Sequence, residues 1–315
     1  MNLLSFAKVN LFLKVINKRQ DNYHNLETIF ERISLADRII IKPRKDLLIK
    51  ISCNDKAVPR DKTNLCFKAA KLLIDEFKIS KGLNIKITKR IPVGAGLGGG
   101  SSNAAAVLMG LNSLWGLKLS QTRLAKIAAR VGSDVAFFVH DLPFAQGSGR
   151  GERIKPLNAL KKAKLWHILI VPKIHVSTPL IFKKYDHFSG LTPHLPNNSI
   201  SNGLKTSNKK EGAGLTKPAG NVKLLTSVMA KKSRSYSLFK PGLLFNSLEE
   251  VTLRLYPEVK RVKNTFLQLG LNSVLMSGSG SAVFALASSF KNASKLAKIL
   301  RKKEKTWQVF VVETV

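Results

Sequence analysis

The sequence predicts an α+β fold that is divided between two domains. Its 315 residues exceed what one hydrophobic core usually organises. Apolar residues make up 44% of the chain, which is enough for two cores. Segments with strand and helix periodicity follow one another irregularly, without the repeated βαβ order of a parallel sheet. We expect an N-terminal domain of residues 1–155, a C-terminal domain of residues 156–315, and a boundary near Pro156.

The first half of the chain opens with a strand at residues 3–15. Side chains alternate there, which places Phe6, Lys8, Asn10 and Phe12 on one face. The elements that follow are predicted from periodicity as a strand near 38–42, a helix at 64–77, a strand at 83–88, and helices at 101–114 and 121–131. The Ser-Ser-Asn run that opens the helix at 101–114 is a predicted N-cap. Ser120 is the predicted N-cap of the helix at 121–131.

The second half opens with an apolar strand at residues 165–172. The later elements are predicted as helices at 247–255 and 258–269, strands at 274–276 and 282–287, a helix at 294–302, and a closing strand. Residues 201–240 differ in composition, with nine Lys and Arg against one acid and many Ser, Asn and Gly. Such a segment buries little surface, so it predicts a flexible basic insertion in the C-terminal domain.

The net charge of +34 leaves two interpretations of the surface open. A polyanion-binding protein uses Lys and Arg to release counterions from phosphate backbones. A solvated basic surface, or an anionic small substrate, accounts equally for this net charge. The charge is spread along the chain without a basic arm or a stripe of interleaved aromatics, which favours the second interpretation over nucleic-acid binding.

Cysteine content and hydropathy indicate a cytoplasmic protein without a membrane span. Cys53 and Cys66 form no CxxC pair, which argues against a zinc site or a disulfide framework. The first residues have strand periodicity and lack the features of a signal peptide. Two long uncharged stretches, 91–117 and 270–290, are crowded with Gly and Ser, so neither predicts a transmembrane helix.

The strongest functional signal is a glycine-rich loop between a predicted strand and a predicted helix. Five of the seven residues from 94 to 100 are glycine. Glycine lets the backbone approach a ligand closely, and the following helix N-terminus adds free N–H donors and partial positive charge. This pattern favours a triphosphate-binding loop over a merely flexible turn. Its predicted nucleotide-binding residues are Pro92, Val93, Gly94, Ala95, Gly96, Leu97, Gly98, Gly99, Gly100, Ser101 and Ser102.

The flanking residues exclude the commonest phosphate-loop families. A Walker A motif needs Lys before its Ser or Thr, and Gly100 stands there. A dinucleotide fold needs an acid about twenty residues after its glycines, and no Asp or Glu lies between Glu76 and Asp134. The chain also contains neither an HRD nor a DFG triplet, which excludes a protein kinase.

Asp134 is a candidate catalytic residue on chemical grounds, and Lys8 is an unusual charge for its position. Phosphoryl transfer to an alcohol needs a carboxylate that accepts the hydroxyl proton, and Asp134 is the first acid after a long acid-free stretch. An ordinary helix N-cap is the alternative. Lys8 lies within an apolar strand, where a buried ammonium would need an anionic partner. A lysine at a strand edge that extends to solvent is the alternative there.

Two further motifs are ambiguous from sequence alone. The glycine turn at 276–281 joins two predicted strands and is either a second close backbone approach or a plain hairpin. The Tyr23-His24 pair in a polar turn could contact a flat base or be a solvated turn. None of the six histidines has a clear acidic partner in the sequence, so we expect most of them at the surface.

Taken together, these motifs resemble those of the GHMP kinases. The matching elements are the N-terminal strand with Ala7-Lys8-Val9-Asn10-Leu11, the loop at 92–105, and the turn at 276–281, in that order. The resemblance covers almost everything except residues 201–240. It implies an N-terminal domain like ribosomal protein S5, a ferredoxin-like C-terminal domain, and a site between them.

Details match the branch of that family whose members phosphorylate a cytidine-diphosphate-linked polyol on the route to isoprenoid precursors. These details are the Tyr23-His24 turn, the Gly132–Val135 segment and the Gly149–Glu152 turn. Asn22 stands where the branch usually has glycine, and asparagine tolerates the positive φ that the turn requires. Phosphorylation of homoserine, mevalonate or a sugar is the alternative within the family, and a basic nucleic-acid-binding protein on an S5-like fold is the alternative outside it.

The resemblance assigns roles to residues, with ATP as donor and Mg²⁺ on its triphosphate. Asp134 is then the catalytic base and Lys8 its charged neighbour. The substrate contacts implied are Asn10, Tyr23, His24, Thr178 and Phe182, with Tyr23 and Phe182 on either side of the cytosine. Asn64 and Lys89 are the expected adenine or ribose contacts. The partners expected are this small molecule and no membrane, in a monomer or weak homodimer.

Overall fold

The computed structural model describes residues 1–189 and 244–315, which form an α+β fold and confirm the predicted class. The predicted flexible basic insertion near 201–240 lies outside the described residues. The predicted domain boundary near Pro156 falls at the end of a short strand and stays a prediction.

A seven-stranded sheet organises the first part of the chain. Its strands are β1 (Asn2–Lys18), β2 (His24–Arg44), β3 (Ile49–Cys53), β4 (Gly82–Thr88), β5 (Phe144–Gly149), β6 (Arg153–Pro156) and, from the second part of the chain, β8 (Phe245–Asn246). The main order is β3-β4-β2-β1-β8, and β5 pairs with β2 and β6. β1 and β2 form a long antiparallel hairpin, whereas β8 lies parallel to β1.

Four helices cover this sheet: α1 (Leu65–Glu76), α2 (Gly99–Leu114), α3 (Gln121–Val131) and the short α4 (Val135–Val139). Their apolar faces pack on residues such as Ile39 and Ile85 to form one hydrophobic core. Side chains cap two of the helices. Ser120 accepts from the Arg123 amide, as predicted, and Asn64, predicted as the first residue of its helix, instead caps α1 by accepting from the Cys66 amide.

A four-stranded sheet organises the second part, in the order β11-β7-β10-β9. Its strands are β7 (Trp166–Val171), β9 (Val274–Met276), β10 (Val283–Ala287) and β11 (Gln308–Glu313). The helices of this part are α5 (Thr178–Ser189), α6 (Glu249–Leu255), α7 (Pro257–Gln268) and α8 (Phe290–Lys303). A second core lies under these helices, and a third, which includes Val9, Leu169 and Phe284, fills the space between the two sheets.

The structure corrects the predicted start of α2. The helix begins at Gly99, and the N-cap is Gly98 in the left-handed region, with no side-chain cap. Ser102 and Asn103, predicted as part of an N-cap cluster, lie inside the helix and are buried. Their side chains bind Ser5 on β1 and Asp37 on β2, partners that local sequence does not reveal.

The second strand is also longer than predicted. β2 begins at His24 rather than near Arg38, and it runs 21 residues beside β1. Its middle carries buried Glu31 and Asp37, which break the apolar alternation that periodicity detects. The other elements absent from the prediction are β3, β5, β6, β8, α4 and α5.

Candidate active site

A single cleft of about 950 Å³ brings the predicted site residues together. The predicted residues that line it are Lys8, Asn10, Tyr23, His24, Asn64, Lys89, each residue from Pro92 to Ser101, Asp134, Thr178 and Phe182. Ser102 is the exception. Its hydroxyl accepts from Ser5 at 2.7 Å in the protein interior, and its role as a nucleotide contact stays a prediction.

The glycine-rich loop wraps the N-terminus of α2. Gly94, Gly96 and Gly98 all have φ between 67° and 76°, a region that favours glycine. Since α2 starts at Gly99, the amides of its first turn have no partner within the helix. These donors, together with the helix dipole, make the loop an anion-binding surface.

The glycine turn at 276–281 packs against this loop rather than forming only a hairpin between β9 and β10. The Ser277 hydroxyl donates to the Gly96 carbonyl at 3.0 Å, and the Ala282 amide donates to the Ala95 carbonyl at 3.1 Å. A Cβ on Gly96 would overlap the Ser277 carbonyl oxygen. Of the two possibilities predicted for this turn, the close backbone approach is therefore present. The turn packs against the backbone of the phosphate loop and supports it.

We expect Gly96→Ala to weaken binding of a non-hydrolysable ATP analogue and to lower the melting temperature. The new methyl group would both meet Ser277 and sit at φ 76°. Gly116→Ala is a matched control, because Gly116 has φ 60° and a methyl group there would meet nothing within 4 Å, so it reports the backbone strain alone. Equal analogue affinity in the two variants would contradict a role for the close approach.

Lys8 and Asp134 form a charged pair at the base of the cleft. Lys8 is 3% exposed, and its ammonium donates to Asn10 Oδ1 at 2.6 Å and to the Gly96 carbonyl at 2.9 Å. Its Nζ lies 3.6 Å from Asp134 Oδ2. Burial lowers the pKa of Lys8, and the nearby Asp134 carboxylate opposes that shift. The lysine is thus internal and does not extend to solvent.

Asp134 remains available to a ligand. Its side chain is 33% exposed, and it makes no capping hydrogen bond although it precedes α4. The N-cap alternative therefore does not account for its carboxylate. Asn10 already makes two side-chain hydrogen bonds, because its Oδ1 accepts from Lys8 and its Nδ2 donates to Thr28 at 2.8 Å.

The far end of the cleft carries the aromatic residues. Tyr23 is 53% exposed, and the Arg150 guanidinium lies over its ring at 5.0 Å. Phe182, on α5, stacks on His24 with ring centroids 4.7 Å apart. The turn before Tyr23 contains Asn22 at φ 63°, the positive value that was expected there. Tyr23, His24 and Phe182 thus share one end of the site.

Two histidines have acidic partners that the sequence did not reveal. His24 Nε2 lies 2.6 Å from Asp186 Oδ1, and Asp186 also pairs with Lys18 at 2.9 Å. His167 Nε2 lies 2.8 Å from Glu31 Oε1, and both side chains are completely buried. The expectation of mostly surface histidines is wrong for these two, because their partners are 162 and 136 residues away along the chain.

The two expected adenine or ribose contacts reach the cleft with their polar atoms already engaged. Asn64 caps α1 and donates to the Pro59 carbonyl at 2.6 Å. The Lys89 ammonium pairs with buried Asp37. Thr178, at the start of α5, shares a 2.7 Å hydrogen bond with Ser279 of the glycine turn. Their roles toward ligands stay predictions.

Sequence reasoning missed four charged residues that line the cleft: Lys18, Arg150, Lys183 and Asp186. Arg150 lies in the Gly149–Glu152 turn, which was a motif match without an assigned role. Asp186 follows Phe182 by one helical turn on α5, so the spacing i, i+4 was the signal that could have found it.

The described residues do not offer a metal site built by the protein alone. Within residues 1–189 and 244–315, no three His, Cys, Asp or Glu side chains cluster closely enough to hold a metal ion. The same residues include no helix that is long and apolar enough to cross a bilayer.

Comparison with known proteins gives matches over nearly the whole chain. The family described as GHMP kinases N terminal domain matches residues 64–141, and GHMP kinases C terminal matches residues 226–306. A 4-diphosphocytidyl-2-C-methyl-D-erythritol kinase from Shouchella clausii is 40% identical over 295 residues, covering 94% of this chain and 88% of the relative. The protein of the same name from Bacillus subtilis is 40% identical over 280 residues, covering 89% and 86%.

Solved structures agree with the sequence matches. A crystal structure of 4-(cytidine 5'-diphospho)-2C-methyl-D-erythritol kinase superimposes with a TM-score of 0.72 at 33% identity, covering 99% of both chains. A homoserine kinase from Cytophaga hutchinsonii has a TM-score of 0.66 at 20% identity, covering 100% of this chain and 94% of its own. The second likeness shows the shared fold alone.

Proposed function

The chain belongs to the 4-diphosphocytidyl-2-C-methyl-D-erythritol kinase family of the GHMP kinases, and from this membership we propose how its cleft works. The reaction is ATP-dependent phosphorylation of the 2-hydroxyl of 4-diphosphocytidyl-2-C-methyl-D-erythritol, a step of the methylerythritol phosphate route to isoprenoid precursors. The alternatives, a GHMP kinase of homoserine, mevalonate or a sugar and a nucleic-acid-binding protein, are not favoured.

The observation that carries the proposed mechanism is the position of Asp134. Its carboxylate is partly exposed in the cleft, 3.6 Å from the buried Lys8 ammonium, and both residues line the cleft together with the phosphate loop. Asp134 accepts the hydroxyl proton, the hydroxyl oxygen bonds to the γ-phosphorus, and the bond from that phosphorus to ADP breaks. Lys8 is held by Asn10 and Gly96, so its charge stays fixed beside both the base and the reacting oxygen.

The phosphate loop holds the triphosphate through backbone groups. The free amides at the start of α2 donate to phosphate oxygens, and the helix dipole favours the negative charge. GHMP kinases use ATP, generally with Mg²⁺. Mg²⁺ would be held on the phosphate oxygens of the nucleotide, where it would neutralise charge.

The aromatic end of the cleft is suited to the cytosine. Tyr23 and Phe182 offer aromatic faces, and stacking on such faces favours any base. Discrimination then requires hydrogen bonds to the base edge, for which His24 is the candidate. Asp186 fixes the orientation of the His24 ring through Nε2, so the other ring nitrogen and the backbone are the groups left for the base.

We expect Phe182→Ala to raise KM for the cytidylyl substrate by about tenfold, from a stacking energy of roughly 1–3 kcal/mol, while KM for ATP hardly changes. Tyr23→Ala should act in the same direction. Phe188→Ala is a matched control on the same helix, since Phe188 is exposed outside the cleft lining and packs under Arg254. If both Phe182→Ala and Tyr23→Ala keep the wild-type KM, the base binds elsewhere.

Removing the His24 side chain should narrow the preference for cytidine over uridine versions of the substrate. Without the His24 side chain, the wrong base no longer leaves a buried protein group without a hydrogen-bond partner, so it is no longer penalised. The measurement is the ratio of kcat/KM for the two substrates in His24→Ala and in wild type. An unchanged ratio would assign the selection to the backbone or to another residue.

One assay tests the function directly. The protein, Mg-ATP and 4-diphosphocytidyl-2-C-methyl-D-erythritol are mixed and ADP is measured, with homoserine and mevalonate as alternative acceptors. ADP that depends on the cytidylyl substrate is the expected result. Turnover only with another acceptor, or salt-dependent retention on DNA without turnover, would overturn the proposal.

We further expect a cytoplasmic enzyme that is a monomer or weak homodimer. Cys53 and Cys66 are both free and buried, which suits a reducing compartment. Burial raises the pKa of the Cys66 thiol to about 12, so this thiol stays protonated at neutral pH.

A further inference from the structure

Asp37 is a buried carboxylate whose hydrogen bonds all lead to the phosphate loop. It lies on β2 and is completely buried. Its Oδ1 accepts from the amides of Arg90 at 2.7 Å and Ile91 at 2.9 Å. Its Oδ2 accepts from Asn103 Nδ2 at 2.8 Å and pairs with the Lys89 ammonium.

These partners lie on both sides of the loop. Residues 89–91 lead into the loop, and Asn103 belongs to α2, which leads out of it. The Asp37 carboxylate therefore connects the residues that precede the phosphate loop to the helix that follows it. Asn103 also donates to Ser5 on β1, so the connection extends to the central hairpin of the sheet.

The ion pair also places a positive charge next to the start of α2. A Cβ built on Gly99 would lie 2.9 Å from Lys89 Nζ, so the ammonium packs directly against the first residue of the helix. A buried ammonium without a partner is costly, so Lys89 depends on Asp37 to remain there. With that partner it adds to the positive potential that the helix N-terminus already presents.

We propose that Asp37 is a positioning residue for ATP, which sets the geometry of the phosphate loop and holds the Lys89 ammonium beside it. The inference rests on the proposed function insofar as that loop binds ATP. Asp37 does not line the cleft, so it acts through the groups it holds.

The test compares Asp37→Asn with wild type in binding of a non-hydrolysable ATP analogue. The asparagine oxygen can still accept from the two backbone amides, but its NH₂ group cannot accept from Lys89 or Asn103. We expect the Kd for the analogue and KM for ATP to rise about tenfold or more, since two charge-assisted contacts are lost. The KM for the alcohol substrate and kcat at saturation should stay within about threefold of wild type, because Asp134 and Lys8 are untouched.

A second variant keeps the test informative if Asp37→Asn alone does not fold. Asp37→Asn combined with Lys89→Met removes the ammonium that would otherwise be buried without a partner. This double variant should fold, and its analogue Kd should exceed that of Lys89→Met alone, a variant in which Asp37 still holds the two sides of the loop. Glu31→Gln is the matched control, because Glu31 is another fully buried acid on β2 whose partners, His167 and Thr314, lie away from the loop. It should lose stability and keep the wild-type analogue Kd.

Three results would overturn the inference. The analogue Kd of the Asp37 variants could lie within about twofold of wild type. Glu31→Gln could raise it as much, which would make the effect one of general stability. The alcohol KM could rise in proportion to the ATP KM. A wild-type protein that binds the analogue but phosphorylates no cytidylyl substrate would refute the proposed function alone, since the binding comparison would still test Asp37.

Discussion

Asp134→Asn is expected to remove nearly all turnover while ATP binding stays close to wild type. The asparagine preserves shape but cannot accept the hydroxyl proton, and loss of a positioned base lowers the rate by roughly 10²–10⁴-fold. That range corresponds to about 3–5 kcal/mol of transition-state stabilisation. Asp134 accepts no capping hydrogen bond, so the substitution should disturb α4 little.

The measurement pairs kcat from ADP release with the Kd for a non-hydrolysable ATP analogue. Asp141→Asn is the control, because this exposed acid follows α4 and pairs with Arg32 outside the cleft lining. It should turn over like wild type. An Asp134→Asn rate within about threefold of wild type would end the assignment of Asp134 as the base.

Lys8→Met is expected to have the second largest effect, mainly on kcat. Lys8 contacts the Gly96 carbonyl and lies 3.6 Å from Asp134, so it joins the base to the phosphate loop. Methionine fills similar space without charge, and the loss of charge beside the reacting oxygen should lower kcat by about 10²-fold or more. Removing a buried ammonium also relieves a desolvation cost, so the variant should remain folded.

Lys14→Met, on the same strand but outside the cleft lining, is the matched control and should keep the wild-type rate. The split between kcat and ATP affinity decides the role of Lys8. A variant that loses ATP affinity with unchanged kcat would make Lys8 a nucleotide ligand and not a partner of the base.

Local patterns predicted most regular elements correctly because their causes are local. The helix at 121–131 depends on its apolar spacing and on the Ser120 cap, both of which lie within the segment. The strands missed were short or irregular, such as β6 with four residues and β8 with two. Those strands exist because a neighbouring strand supplies their hydrogen bonds, and for β8 that neighbour is distant in sequence.

The difference between local and long-range causes also explains which parts of the candidate site could be predicted from sequence. The phosphate loop was predictable because glycine content, positive φ and a following helix are properties of one short segment. The N-cap assigned to Ser102 failed because its hydroxyl has a better partner in Ser5, which lies 97 residues away. The pairing of His24 with Asp186 could not be inferred for the same reason.

Residue types and spacing predicted an α+β fold with a glycine-rich phosphate loop, a candidate catalytic acid and a lysine in an apolar strand, and the resemblance of these motifs to the GHMP kinases implied that the chain is a kinase. Its relatives confirm the reaction class. The fold was needed to bring Asp134 to Lys8 from a distant part of the chain, to place the 276–281 turn behind Gly96, and to make Asp37 the junction of the loop. Such contacts depend on how distant segments pack and on which buried polar groups must find partners, and neither is encoded in any single stretch of sequence.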